Sequence, residues 1–286
     1  MVKTAAFGCI LLTGIFLTIA DAFAAEEKTV EEKNRIELMD HNREEYFGGG
    51  KPKGLALTDP EYAAIRDRLV LGEILDNGSL GIQRQELLTI VALTAMQTLD
   101  SLEIHVQAAL NADVGPVEIK ECVYQIAPYV GVARVDAALR IINSVLEKNG
   151  ISLPLENQGT VSEESRYKDG LALQNQLFGA GHIKKMQDNA PAGQREIVRN
   201  FLSAYCFGEF YTRKGMDLKM RVLVVFSAIV SLGGCDPQAR AHAKANIVAG
   251  NTKQNLVDAL ATLLPYIGFP RTLNGLAAVN EAVPDK

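Results

Sequence analysis

The sequence predicts an all-α fold: a tandem duplication of a unit of five or six helices, its two copies packed as an internal pseudo-dimer. Three observations predict it. Helical periodicity, with its start and stop signals, runs almost without a break from residue 58 to residue 283. The composition is rich in Ala, Leu and Val and contains no Trp, which suits a helical globular protein. And the phrase "PYVGVAR" at 128–134 returns as "PYIGFPR" at 265–271.

Each element follows in order. Residues 1–24 read as an export signal: Lys3 is a short positive start, "AAFGCILLTGIFLTIA" an apolar core, and Ala22-Phe23-Ala24 a cleavage site. The apolar run ends at Asp21, short for a stop-transfer helix, so the mature chain is expected to start near Ala25. The expected location is periplasmic or secreted, with no stable membrane association after cleavage. Residues 25–57 are charged and then glycine-rich, and read as an arm or partial helix. "GGGKPKG" lacks the Gly-Lys-Ser/Thr ending of a phosphate loop.

Repeat 1 is placed at 58–150. Asp59-Pro60 opens "DPEYAAIRDRLVLGEIL" as cap and first-turn proline. "RQELLTIVALTAM" at 84–96 is apolar nearly all round, the mark of a helix buried on every side. Asp100 and Glu103 form a capping-box pattern for "SLEIHVQAALNA", and Gly115-Pro116 starts the next helix. A last helix covers roughly 134–148 and stops before Asn149-Gly150.

Repeat 2, at 164–283, copies this layout. Arg84 and Arg221, His105 and His242, and Tyr129 and Tyr266 are each separated by 137 positions; Gly72-Glu73 and Gly208-Glu209 are separated by 136. "VLVVFSAIV" at 222–230 is β-branched enough for a strand, but its counterpart and its length make it helical. A helix apolar on all faces needs cover on all sides, which two copies packed face to face supply.

The net charge of −5 gives no reason to expect nucleic acid as a partner. Cys9 falls in the signal, leaving Cys122, Cys206 and Cys235. The odd number leaves at least one thiol free or paired between chains, and a Cys122–Cys206 bridge is open in an oxidising compartment. Neither the cysteines nor the four histidines have metal-site spacing, and His41 and His182 match nothing in the repeat.

"RQELLTIVALTAMQTLDSLEIHVQAALNADVGPVEIKECVYQIAPYVGVA", and still more "FGEFYTRKGMDLKMR…GGCDPQARAHAKANIVAGN…LLPYIGFPRTLNGL", resemble the carboxymuconolactone decarboxylase family, which includes the alkylhydroperoxidase D-like proteins. The resemblance covers roughly 58–282. It implies an all-helical trimer or hexamer, and for a fused double unit a homotrimer that mimics a hexamer. Alkylhydroperoxidase D-like members carry Glu, Cys-x-x-Cys and His, the Glu nineteen residues before the His. Copy 1 has Glu86 and His105 at that spacing, with Thr98 and Ser101 at the cysteine positions. Copy 2 has Cys235 and His242, with Gln238 at the second cysteine position and Leu223 at the glutamate position.

The candidate catalytic residues are therefore His105, Glu86, Cys235 and His242. Glu86 faces Ile90 and Leu93 one turn on, so its carboxylate is expected to be shielded from water, unless Arg84 pairs with it. Both histidines sit among small residues that leave room for a ligand. Cys235 precedes Asp236-Pro237 at a helix start, where free amides favour a thiolate. Arg134 and Arg271 are candidate holders of a substrate carboxylate, and Tyr129 and Tyr266 line the turn before them. The expected function is cofactor-free acid–base chemistry on a carboxylated lactone or similar small acid. The alternatives are a redox protein built on Cys235 and a non-enzymatic trimeric binding protein.

Overall fold

The computed structural model describes residues 34–50 and 54–284, and every regular element among them is helical. The signal segment and the Lys51-Pro52-Lys53 of "GGGKPKG" lie outside these residues. In chain order, α1 is Arg35–Tyr46, α2 is Pro60–Asp67 running on as a wider π-helical stretch to Ile74, and α3 is Gly81–Met96. Next come α4, Leu102–Asn111, α5, Pro116–Gln125, and α6, Val132–Lys148. The second half holds α7, Arg166–Phe178, α8, Ala180–Asp188, and the π-helical α9, Glu196–Tyr211. It closes with α10, Leu218–Leu232, α11, Asp236–Val248, and α12, Lys253–Ala282, kinked at Gly268.

The two halves share one core. Helices α3 and α10 pack against each other at its centre, and Leu88, Ile90, Val91, Val224, Val225 and Phe226 are wholly buried there. Burying each such side chain stabilises the fold by about 1.5–3 kcal/mol before entropy is counted. The β-branched run 222–230 is helical, as its counterpart in copy 1 indicates.

Reciprocal contacts hold the copies together. Asp258 of copy 2 accepts from the backbone N–H and hydroxyl of Ser79 at 2.8 and 2.7 Å. Its counterpart Glu121 of copy 1 pairs with Arg213 at 2.8 Å and with Arg221 at 2.9 Å. Gly78 and Gly215, both at positive φ, let these side chains come close: a Cβ would meet the Asp258 carboxyl carbon at 2.6 Å and Val117 at 2.6 Å.

Helix α1 is no loose arm. It packs on the stretch 68–74 as α7 packs on α9. Both crossings need a glycine, because a Cβ on Gly72 would lie 2.1 Å from the Arg35 carbonyl oxygen and one on Gly208 2.1 Å from that of Arg166. The glutamates after these glycines bind the same arginines, Glu73 to Arg35 at 2.5 Å and Glu209 to Arg166 at 3.0 Å. The repeated "GE" is therefore structural.

Two expected caps take another form. Residues 99–101 make a tight 3-10 turn, and Glu103 reaches Lys148 at 2.6 Å instead of closing a capping box. Asp59 accepts from the Thr58 hydroxyl at 2.6 Å rather than capping α2 with its side chain.

Candidate active site

The repeated phrase works through its glycine. Gly131 has φ 90° and Gly268 φ 74°, conformations that disfavour any side chain, and each turns the chain just after a tyrosine. The tyrosine then meets the histidine of the other copy. Tyr266 of copy 2 meets His105 of copy 1 edge to face at 5.3 Å, and Tyr129 of copy 1 meets His242 of copy 2 at 5.4 Å. A phenylalanine completes each cluster: the ring of Phe47, just after α1, lies 5.8 Å from that of His105, and the ring of Phe178, the last residue of α7, lies 5.2 Å from that of His242.

Only one of these twin clusters carries a chain of polar groups. The Glu86 carboxylate accepts from His105 Nδ1–H at 2.7 Å, which fixes the tautomer and presents Nε2 to Tyr266. The Tyr266 hydroxyl lies 3.2 Å from that nitrogen. Burial and then the nearby Glu86 carboxylate push the Tyr266 phenol well above its ordinary range, opposed by Thr89 and by the positive charge of Arg66. The phenol therefore holds its proton at neutral pH and donates it to His105. Glu86 is 2 % exposed and its partner is His105, not Arg84.

In the twin cluster, Leu223 stands for Glu86 and Phe226 for Thr89. His242 Nδ1 is buried without a hydrogen-bond partner. Burial lowers the His242 pKa to about 4, so its ring is neutral at physiological pH. Tyr129 turns to the Tyr211 hydroxyl at 3.0 Å and accepts from Cys206 Sγ at 3.5 Å.

The remaining candidates lie elsewhere. Arg134 donates to the Ala95 carbonyl, and Arg271 Nη1 lies 3.1 Å from Met96 Sδ. Half-buried Cys235 caps α11 and shares with Arg271 a crevice of about 10 Å³, room for about one water. No hydrogen bond joins Cys235 to His242 among the described residues. Cys122 and Cys206 are separate buried thiols, one donating to the Ile119 carbonyl and the other to Tyr129.

A family model described as the carboxymuconolactone decarboxylase family matches residues 60–144 and again 198–281. The chain belongs to the carboxymuconolactone decarboxylase family. Each matched segment carries one of the two histidines, His105 or His242, so the family unit is present twice. A 4-carboxymuconolactone decarboxylase from Acinetobacter baylyi is 27% identical over 125 residues, spanning 44% of this chain and 92% of that protein. A crystal structure from Burkholderia xenovorans, described as a candidate gamma-carboxymuconolactone decarboxylase subunit, superposes with a TM-score of 0.50. It is 15% identical and covers 84% of this chain and 93% of its own, so it shows the shared fold.

Within this pair of family units, the nineteen-residue spacing that the resemblance implies picked out Glu86 and His105, which lie 2.7 Å apart. Phe47, Phe178 and the crossing of each tyrosine to the opposite copy escaped that reading. A signal for the phenylalanines exists: "FGGG" at 47–50 and "FGAG" at 178–181 stand at the same distance from Arg35 and Arg166.

Proposed function

We propose that this chain is a carboxymuconolactone decarboxylase-like enzyme whose one chemically complete site is Glu86–His105–Tyr266. The observation that carries this reading is the unbroken line from Glu86 Oε2 through the imidazole to the Tyr266 hydroxyl. Loss of CO2 breaks the bond between the carboxylate and its carbon, and the electron pair stays on the substrate, spread onto the lactone carbonyl. One proton then completes the product. With His105 first protonated from solvent and its imidazolium held by Glu86, Nε2–H can pass its proton to the Tyr266 oxygen as the tyrosine gives its own to the substrate carbon, which leaves the imidazole neutral until solvent protonates it again. This chemistry calls on no cofactor. Arg66, exposed on α2 and paired through Nε with Asp67 at 2.8 Å, is a cation near Tyr266 and is proposed as holder of the substrate carboxylate.

The assay is CO2 release from 4-carboxymuconolactone and related carboxylated lactones. Turnover abolished by His105→Gln supports the reading; turnover unaffected by that change removes it.

The same reading includes a homotrimer of an exported chain. Supporting assembly, exposed apolar side chains recur at matching places on both copies, Ile65 with Phe201 and Val132 with Phe269. Light scattering of the processed protein tests the trimer, and N-terminal sequencing tests a start near Ala25.

A further inference from the structure

Away from both histidine clusters, a cleft of about 240 Å³ opens between α5, the connection at 154–158 and Arg213. It is a little smaller than the roughly 300–1,000 Å³ of pockets for drug-sized molecules, which suits a metabolite. Its lining carries two cations, Lys120 and Arg213, and two carboxylates, Glu121 and Glu156, and the buried Arg221 behind Glu121 tips the local balance to one positive charge. Glu121, 1% exposed, answers two guanidiniums at once, those of Arg213 and of the wholly buried Arg221. Lys120 adds a third positive charge, and Glu156 is the only other carboxylate in the lining.

The cations also converge. Lys120 Nζ lies 5.8 Å and Arg213 Cζ 5.5 Å from the centre of the same Tyr124 ring. Arg213 uses Nε and Nη2 on Glu121, which leaves Nη1 to donate elsewhere. Lys120 has no carboxylate partner among the described residues. Val117, Pro154 and Leu155 supply the apolar part of the lining.

We propose that this cleft binds a small organic carboxylate. Its anionic end sits between Lys120 Nζ and Arg213 Nη1, and its body rests on Val117, Pro154 and Leu155. Because Glu121 belongs to copy 1 and both arginines to copy 2, an anion here ties the seam between the copies and stabilises the folded chain.

The test uses benzoate as the probe, benzamide as its uncharged counterpart and inorganic phosphate as the anion without an apolar body. Expected is a benzoate-dependent rise in Tm, with shifts in the Tyr124 ring resonances. Lys120→Met should weaken that binding about tenfold, the scale of one charge-assisted hydrogen bond. Lys120→Arg should largely restore it. Equal binding of benzamide, binding of phosphate but not benzoate, or full binding by Lys120→Met with Tyr124 unmoved would each overturn the proposal. Lys120 is half-exposed, so its replacement leaves the core intact.

Discussion

Tyr266 and His105 stand 161 residues apart in sequence, and the tyrosine hydroxyl lies 3.2 Å from the histidine Nε2. The candidate site is therefore made by the pairing of the copies, not by either copy alone. Its counterpart on the opposite side has kept the histidine, the tyrosine and the phenylalanine. It lacks the carboxylate, with Leu223 at that position, and its Nδ1 has no hydrogen-bond partner.

Tyr266→Phe removes the proton at the substrate end of the line while keeping the ring packed against His105. Turnover should fall by about 10²–10⁴, the usual range for a general acid. Steady-state kinetics should show this loss in kcat more than in KM.

Arg66→Ala should raise KM with kcat little changed, if Arg66 acts by holding the substrate carboxylate. Saturation curves separate the two effects, and an unchanged KM would assign its charge to solvent.

His242 titrates near 4 in the folded chain and near 6.5 when unfolded. Its folded pKa is depressed, so its contribution to stability is complete above about pH 6.5. That contribution is lost as the pH falls towards 4, because the unfolded chain takes up the proton first. The full effect is on the order of 3 kcal/mol. Denaturant unfolding of wild type and His242→Gln across this range should show the flatter profile in the variant.

Gly208→Ala should lower Tm steeply, because its Cβ would lie 2.1 Å from the Arg166 carbonyl oxygen and the helices would have to part. A loss of about 2–4 kcal/mol is expected, and Gly72→Ala should behave alike at the crossing with α1.

Alkylation should separate the thiols. Cys235 is half-buried, whereas burial pushes the Cys206 thiol up to about 12 and raises that of Cys122 well above its usual value. Mass spectrometry of folded protein after brief iodoacetamide treatment should find Cys235 modified and the other two protected. In denatured protein all three should react.

Periodicity alone identified α3 as a helix buried on all sides, because such a helix leaves no polar stripe. The constant spacing identified the duplication, and through it α10, whose own propensities favour a strand. Glu86 and His105 were legible as a pair because the family resemblance implies a Glu nineteen residues before the His, and that spacing spans one helix–turn–helix. Tyr266 was read as a candidate but not as the partner of His105, since no spacing within one copy says which copy a side chain faces. Helix α1 escaped because its offset from α7 is 131, not 137, and its charged face hides Met39. Charge likewise misled at Glu103, where a lysine on α6 competes with the expected cap.

The central claim is that one of two matching histidines does chemistry and the other does not. The most direct measurement compares CO2 release from a carboxylated lactone by His105→Gln and by His242→Gln, each checked for folding by circular dichroism. The account predicts a loss of at least about 100-fold for the first and a rate within about twofold of wild type for the second. Equal losses, or the greater loss at His242, would contradict it.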